Sequence, residues 1–170
     1  MPGRPPLARV LWPPPPDSIA APAPPIDADN RASIVLEVGE ERSRMLLLAD
    51  VDSLVEAALA VREPLALLKV AHHGSGSSSG DRLLSRVHPR IAVISSGRNN
   101  RFGHPNAGAL RRLRSCGAII HRTDEEGASW YEAGPSGIAR LDWRSGGWRP
   151  AVDDHRARSM NDPRAAPRYP

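Results

Sequence analysis

Apolar and polar positions change period several times along the chain, and each change predicts an element. "ASIVLEV" (32–38) and "RMLLLAD" (44–50) are apolar, partly β-branched runs separated by the charged turn "GEERS", the pattern of a hairpin. "DSLVEAALAVREP" then shifts to a helical period. Ser53 followed by Glu56 forms a capping-box signature, Leu54, Ala57, Ala58 and Val61 share one face, and Pro64 ends the helix. "LALLKV" (65–70) predicts a short buried strand that stops at two adjacent histidines, "SGDRLLSRVHP" a second helix, and "RIAVISS" (90–96) a third core strand. "HPNAGALRRLRSCG" predicts a helix with Pro105 in its first turn, Leu110 and Leu113 facing inward and Gly117 at its end. "AIIHRT", "GASWYEA" and "GIARLDWR" alternate like strands joined by Gly-bearing turns.

The order β-β-α-β-α-β-α-β-β-β predicts a layered α/β domain with helices packed on a mixed sheet. Composition limits where it lies. Residues 1–30 are crowded with proline ("WPPPP", "APAPP") and read as extended, solvated backbone. The tail 151–170, "AVDDHRARSMNDPRAAPRYP", is charged and without apolar period, so disorder is expected there. A folded segment of residues 31–150 remains, a normal size for one domain. The net charge of +4 comes almost wholly from arginine, since Lys69 is the only lysine. An arginine-rich surface suits phosphate, and a GC-rich coding sequence gives the same composition. Cys116 is the single cysteine, which excludes an internal disulfide framework. No apolar stretch approaches the length of a membrane span and no secretory signal is evident, so the chain reads as soluble.

In layered α/β sheets, functional residues gather where strands end. Three candidates lie at such ends: Asp50, the His72/His73 pair, and His104 in "SSGRNNRFGHP". Asp50 ends an apolar strand, where a carboxylate is paired or holds a metal; Asp50 or Asp52 could equally cap the following helix. Neighbouring side chains on an extended backbone point to opposite sides, so one metal does not readily take both His72 and His73. A division of labour follows. One ligates or transfers protons, and the other orients or contacts a phosphate through Gly74 and Ser75. Imidazole suits zinc or manganese, and "HHGS" could also be an ordinary polar loop. His104, between Gly103 and Pro105, sits at a rigid turn as a ligand, a phosphate contact or a cap. Arg98, Asn99, Asn100 and Arg101 can hold a phosphodiester without reading sequence, or form a solvated turn. His88 and His155 read as surface residues, and His121 is undecided.

Taken in order, "VLWPPPP", "DNRASIVLEV", "LLLADVD", "LKVAHHGSGSSS", "PRIAVISSGRNNRFGHP" and "GAIIHRTDEEGA" resemble the distal half of a metallo-β-lactamase-fold domain. In particular they resemble the C-terminal domain of the ComEC family of DNA-internalisation competence proteins, across about residues 9 to 130. The resemblance implies the C-terminal half of an αββα sandwich with zinc or manganese at its edge, flanked by disordered ends. It implies metal-dependent phosphodiester hydrolysis of DNA, in a parent protein embedded in the bacterial cell membrane. By resemblance Asp50 and His104 are metal-binding, His72 or His73 is catalytic near the scissile phosphate, and DNA is the partner.

Two departures qualify this. The family's glycine before the aspartate is Ala49 here. The early His-x-(His/Ser/Asp)-x-Asp-His cluster that supplies most ligands of the first metal is absent from the chain, and a catalytic zinc usually keeps three protein ligands. The expectation is a truncated or wrongly started piece without independent hydrolysis, able to pair with a complementing N-terminal half-domain and with apolar surface exposed where that half is missing. The alternatives are a non-catalytic module that binds nucleic acid or a partner, and another hydrolase of the metallo-β-lactamase superfamily.

Overall fold

In the computed structural model the described residues are 8–14, 30, 33–142 and, as backbone only, 149–150. The expectations for the rest of the Pro-rich segment and for the tail lie outside them. Strand β1 (Ala8–Trp12) pairs antiparallel with β2 (Val35–Val38), which pairs antiparallel with β3 (Met45–Leu47). From there β4 (Leu67–Lys69), β5 (Ile91–Ile94) and β6 (Ile119–Arg122) add in parallel, giving one six-stranded sheet in sequential order. The hairpin and the three parallel strands are those the apolar runs predict. Ala8–Trp12 departs from its expected solvated state. It is an edge strand of the sheet, held because Trp12 is buried in the core.

Alternation along the strands decides what covers each face. Leu46, Leu68, Ala92 and Ile94 point to one side, where α1 (Ser53–Ala58), α2 (Asp81–Val87) and α3 (Ala107–Ser115) bring Val55, Leu83, Leu84, Val87, Leu110 and Leu113. Met45, Leu67, Ile91 and Val93 point to the other. There they meet Tyr131 and Ile138 from a second, antiparallel sheet of β7 (Trp130–Gly134), β8 (Gly137–Asp142) and β9 (Arg149–Pro150). A single helical turn, α4 (Thr123–Glu126), follows β6. The result is a mixed α/β arrangement with helices on one side of the main sheet and a small sheet on the other. The exposed large apolar residues among those described, Val10, Ile34, Leu54, Phe102 and Trp130, come from separate elements. The bare apolar face expected for a half-sandwich is therefore partly covered by β7 and β8. Among the described residues no helix is long and apolar enough to cross a membrane.

Local chemistry corrects two helix starts. Asp52, not Ser53, caps α1, its Oδ1 accepting from the Leu54 and Val55 amides at 3.0 and 3.1 Å. Glu56 leaves the expected capping box because its carboxylate reaches two amides in a distant loop. The helix stops at Ala58, well before Pro64, and Leu54 is 54% exposed rather than on an inward face. For α3 the cap is Asn106, accepting from Gly108 N at 2.8 Å, and Pro105 precedes it.

Glu37 fixes the β1–β2 end of the sheet. It is buried on the core side of β2. It accepts from the Arg62 amide (3.1 Å) and Nε (2.6 Å), with Arg9 at 3.5 Å and Arg44 at 3.9 Å. Burial pulls its pKa up, but the Arg62 hydrogen bonds and the charge of Arg9 outweigh it and hold the carboxyl below its ordinary value.

Candidate functional site

Strands β3 to β6 run parallel, so the segments that follow them emerge on one rim of the sheet. Asp50 follows β3, the histidine pair follows β4, residues 95–106 follow β5, and Thr123 follows β6. This is where parallel α/β sheets place ligands.

The histidine pair does not continue the strand as extended backbone. Ala71–Gly74 form a 3-10 turn in which His72 (φ 45°) and His73 (φ 54°) both adopt the left-handed region, and Gly74 follows at φ 79°. Consecutive non-glycine residues there are strained, and such strain collects at functional sites. The turn is held from both sides. The His72 amide donates to the Ala49 carbonyl at 2.9 Å, and the Asn106 amide donates to the Gly74 carbonyl at 2.8 Å. A Cβ on Gly74 would stand 2.8 Å from that of Pro105, so only glycine lets the two loops touch.

The expected division between the imidazoles therefore changes its basis. The turn directs the His72 ring to 6.2 Å from that of His73 and 5.8 Å from that of His104, both edge-on. The His73 Nδ1 lies 2.7 Å from the Ser95 carbonyl, which can only accept, so Nδ1 donates and the neutral ring keeps its lone pair at Nε2. His104 is half-buried, and its Nδ1 is buried without a hydrogen-bond partner among the described residues. Burial first, then the neighbouring His72 and His73, hold its pKa below the usual imidazole value.

The loop that delivers His104 is built by Asn100. Its Oδ1 accepts from the His104 amide at 2.9 Å, and its Nδ2 donates to the carbonyls of His104 (2.6 Å) and Gly97 (2.9 Å). All three hydrogen bonds go to backbone, so Asn100 shapes the turn. Arg98 donates Nε to the Asp124 carbonyl at 3.1 Å, and the Thr123 hydroxyl bridges the amide and carbonyl of Ser96 at 2.9 Å each. Asn99 and Arg101 are exposed on the same loop. Ser75 is buried, its amide donated to the His72 carbonyl and its hydroxyl sharing a hydrogen bond with Ser77, so it too supports the turn. His121 has other partners, its Nδ1 lying 2.8 Å from an Arg140 nitrogen and 3.1 Å from the Glu126 carboxylate.

Sequence reasoning missed the clamp behind the histidines. The Gly/Ser tract is gripped by Arg112, which donates to the carbonyls of Ser79 (2.8 Å), Gly76 (2.9 Å) and Ser78 (2.7 Å). From the other side the fully buried Glu56 accepts from the Ser79 and Gly80 amides at 2.8 and 2.7 Å. Burial raises the Glu56 pKa to about 7 against the pull of those two amides and of Arg112.

The zinc or manganese centre implied by resemblance is not furnished by these side chains. No group of three or more His, Cys, Asp or Glu among the described residues is placed to hold a metal. Asp50 stands on the turn beside His72, but its charge acts on Lys69, whose pKa burial lowers and Asp50 raises. A catalytic zinc needs three protein ligands.

No family model matches the chain. Comparison with known proteins finds it 40% identical over 65 residues to ComE operon protein 3 of Bacillus subtilis (strain 168), covering 38% of this chain and 8% of that protein. It is 35% identical over 114 residues to Competence protein ComA of Neisseria gonorrhoeae, covering 65% of this chain and 16% of that protein. It is 35% identical over 101 residues to Recombination protein 2 of Haemophilus influenzae, covering 59% and 13%. The chain thus spans less than a fifth of the length of each relative. These homologues bear out the resemblance to ComEC-family competence proteins read from the motifs.

Proposed function

We propose that this chain forms the histidine-bearing rim of a ComEC-type, αββα metallo-β-lactamase-like domain that acts on DNA phosphodiesters during DNA uptake. The reading is carried by one observation. Three imidazoles from two loops meet at the carboxyl ends of parallel strands, His72 lying about 6 Å from each of the others, and among the described residues one of them has a buried, unpartnered nitrogen. Such a group presents imidazole nitrogens and N–H donors to a tetrahedral anion. His73, fixed by Ser95, offers Nε2 for proton transfer, and the exposed Arg101 supplies charge complementary to phosphate. Hydrolysis in this reading requires metal donors beyond the described residues, so the rim binds a phosphodiester without cleaving it alone.

The test is a DNA-binding and cleavage assay on the purified chain, with zinc and manganese content measured in parallel. Expected are salt-sensitive DNA binding weakened by His72→Ala, substoichiometric metal and no cleavage. Stoichiometric tight metal with cleavage would contradict the incomplete site, and DNA binding indifferent to His72→Ala would contradict the role of the rim. The non-catalytic binding module is favoured by the lack of a three-donor group among the described residues. It is separated by adding a polypeptide that carries the missing His/Asp cluster: cleavage on addition supports the hydrolase reading, and its failure supports the module.

A further inference from the structure

Phe102, the only phenylalanine of the chain, is 68% exposed at the tip of the loop that delivers His104. A large aromatic ring gains by burial, and among the described residues this one stays largely uncovered. Its ring lies nearly parallel to that of His104, at 19° and 6.0 Å between centroids. The Arg101 guanidinium stands 4.9 Å from the ring centre. Flat groups thus follow one another along the rim: an imidazole that belongs to the histidine group, a benzene ring stacked on it and largely exposed, and a planar cation over that ring.

We infer that Phe102, with Arg101, is a stacking platform for an unpaired nucleobase, and that the nucleic acid received by this rim is single-stranded where it crosses the loop. This rests on the phosphodiester reading given above and adds the state of the strand. Every base presents a π face, so an exposed ring beside a cation grips a strand without reading its sequence. In a duplex both faces of a base are covered by its neighbours, and Phe102 could reach none without unstacking it. Stacking one base on Phe102 would set the adjoining phosphate next to the imidazole of His104, the ring on which Phe102 itself lies. Phe102 acts here as a positioning residue for the strand; it takes no part in proton transfer.

The test is fluorescence anisotropy of the full chain with three labelled probes of about a dozen nucleotides, a length near the site size of single-strand binders. The probes are oligothymidine, an abasic strand with the same phosphates, and a duplex. Phe102→Ala is expected to weaken oligothymidine binding about 5- to 100-fold, the range of one lost base stack. It leaves the abasic strand and the melting temperature unchanged, and Phe102→Trp restores binding. Equal weakening of oligothymidine and abasic strand, no weakening of either, or tighter binding of the duplex would overturn the platform. Wild-type chain that binds none of the probes, or that is indifferent to His72→Ala on all of them, would overturn the phosphodiester reading itself and the platform with it.

Discussion

The Gly74 carbonyl accepts the Asn106 amide at 2.8 Å, so the histidine turn and the start of α3 are one unit. Gly74→Ala attacks it twice, placing a Cβ at φ 79° and driving it toward Pro105. The expected cost is about 2–4 kcal/mol, from left-handed strain and overpacking together. Urea unfolding measures it, and a variant within about 0.5 kcal/mol of wild type would show that the two loops yield freely.

Ala49 calls for the opposite change. It occupies the left-handed region at φ 48° while its carbonyl holds the His72 amide, a conformation glycine adopts without strain. Ala49→Gly is expected to stabilise the chain by about 0.5–1 kcal/mol, the relief of strain exceeding the added freedom of the unfolded chain. A loss of stability on the same denaturation assay would remove this account of the turn.

Glu56 and Glu37 give stability opposite pH slopes. The folded pKa of Glu56 is raised from 4.5 to about 7, so between these values the folded state holds more protons than the unfolded one and stability falls as pH rises. Up to about 3 kcal/mol is lost across that window and none further above it. Glu37 is depressed, so its contribution is present above its unfolded pKa and disappears as pH falls through its folded one. His104, also depressed, loses stability as pH falls below the ordinary imidazole value and opposes Glu56 in part. The difference between wild type and Glu56→Gln isolates the Glu56 slope. Parallel stability curves for the two proteins from pH 5 to pH 8 would show that this carboxyl is not held as described.

The three arginines around Glu37 are not equivalent, because only Arg62 makes short hydrogen bonds to it through both backbone and side chain. Arg62→Ala is expected to cost about 1.5–3 kcal/mol, the worth of a hydrogen bond to a charged partner. It should also move the acid-unfolding midpoint upward, since Glu37 then protonates more easily. Arg9→Ala, removing a 3.5 Å contact and a bond to the Ala60 carbonyl, should cost less. The reverse order on thermal unfolding would contradict this assignment.

Local pattern revealed what local forces decide. The β2–β3 hairpin, the strands before and after α2, and the inward Leu110 and Leu113 of α3 all follow from apolar runs and their breakers. What stayed hidden depends on partners far along the chain. Glu56 three residues after Ser53 reads as a capping box, and only the Ser79 and Gly80 amides, 23 and 24 positions away, make it a loop clamp. Trp12 lies beside four prolines that read as solvated, yet its pairing with Val35 carries the strand into the sheet. The candidate rim was legible as a set of strand ends. That His72 would turn toward His104 was not, because it follows from left-handed backbone at two non-glycine residues, which no periodicity announces.

The central claim is that His72, His73 and His104 act as one group toward a phosphodiester, and histidine NMR with dimethyl phosphate tests it most directly. As dimethyl phosphate is added, the ring signals of these three residues should move together along one saturation curve, while those of His88 and His121 stay in place. Separate curves for His72 and His104, or shifts spread evenly over every histidine, would contradict it.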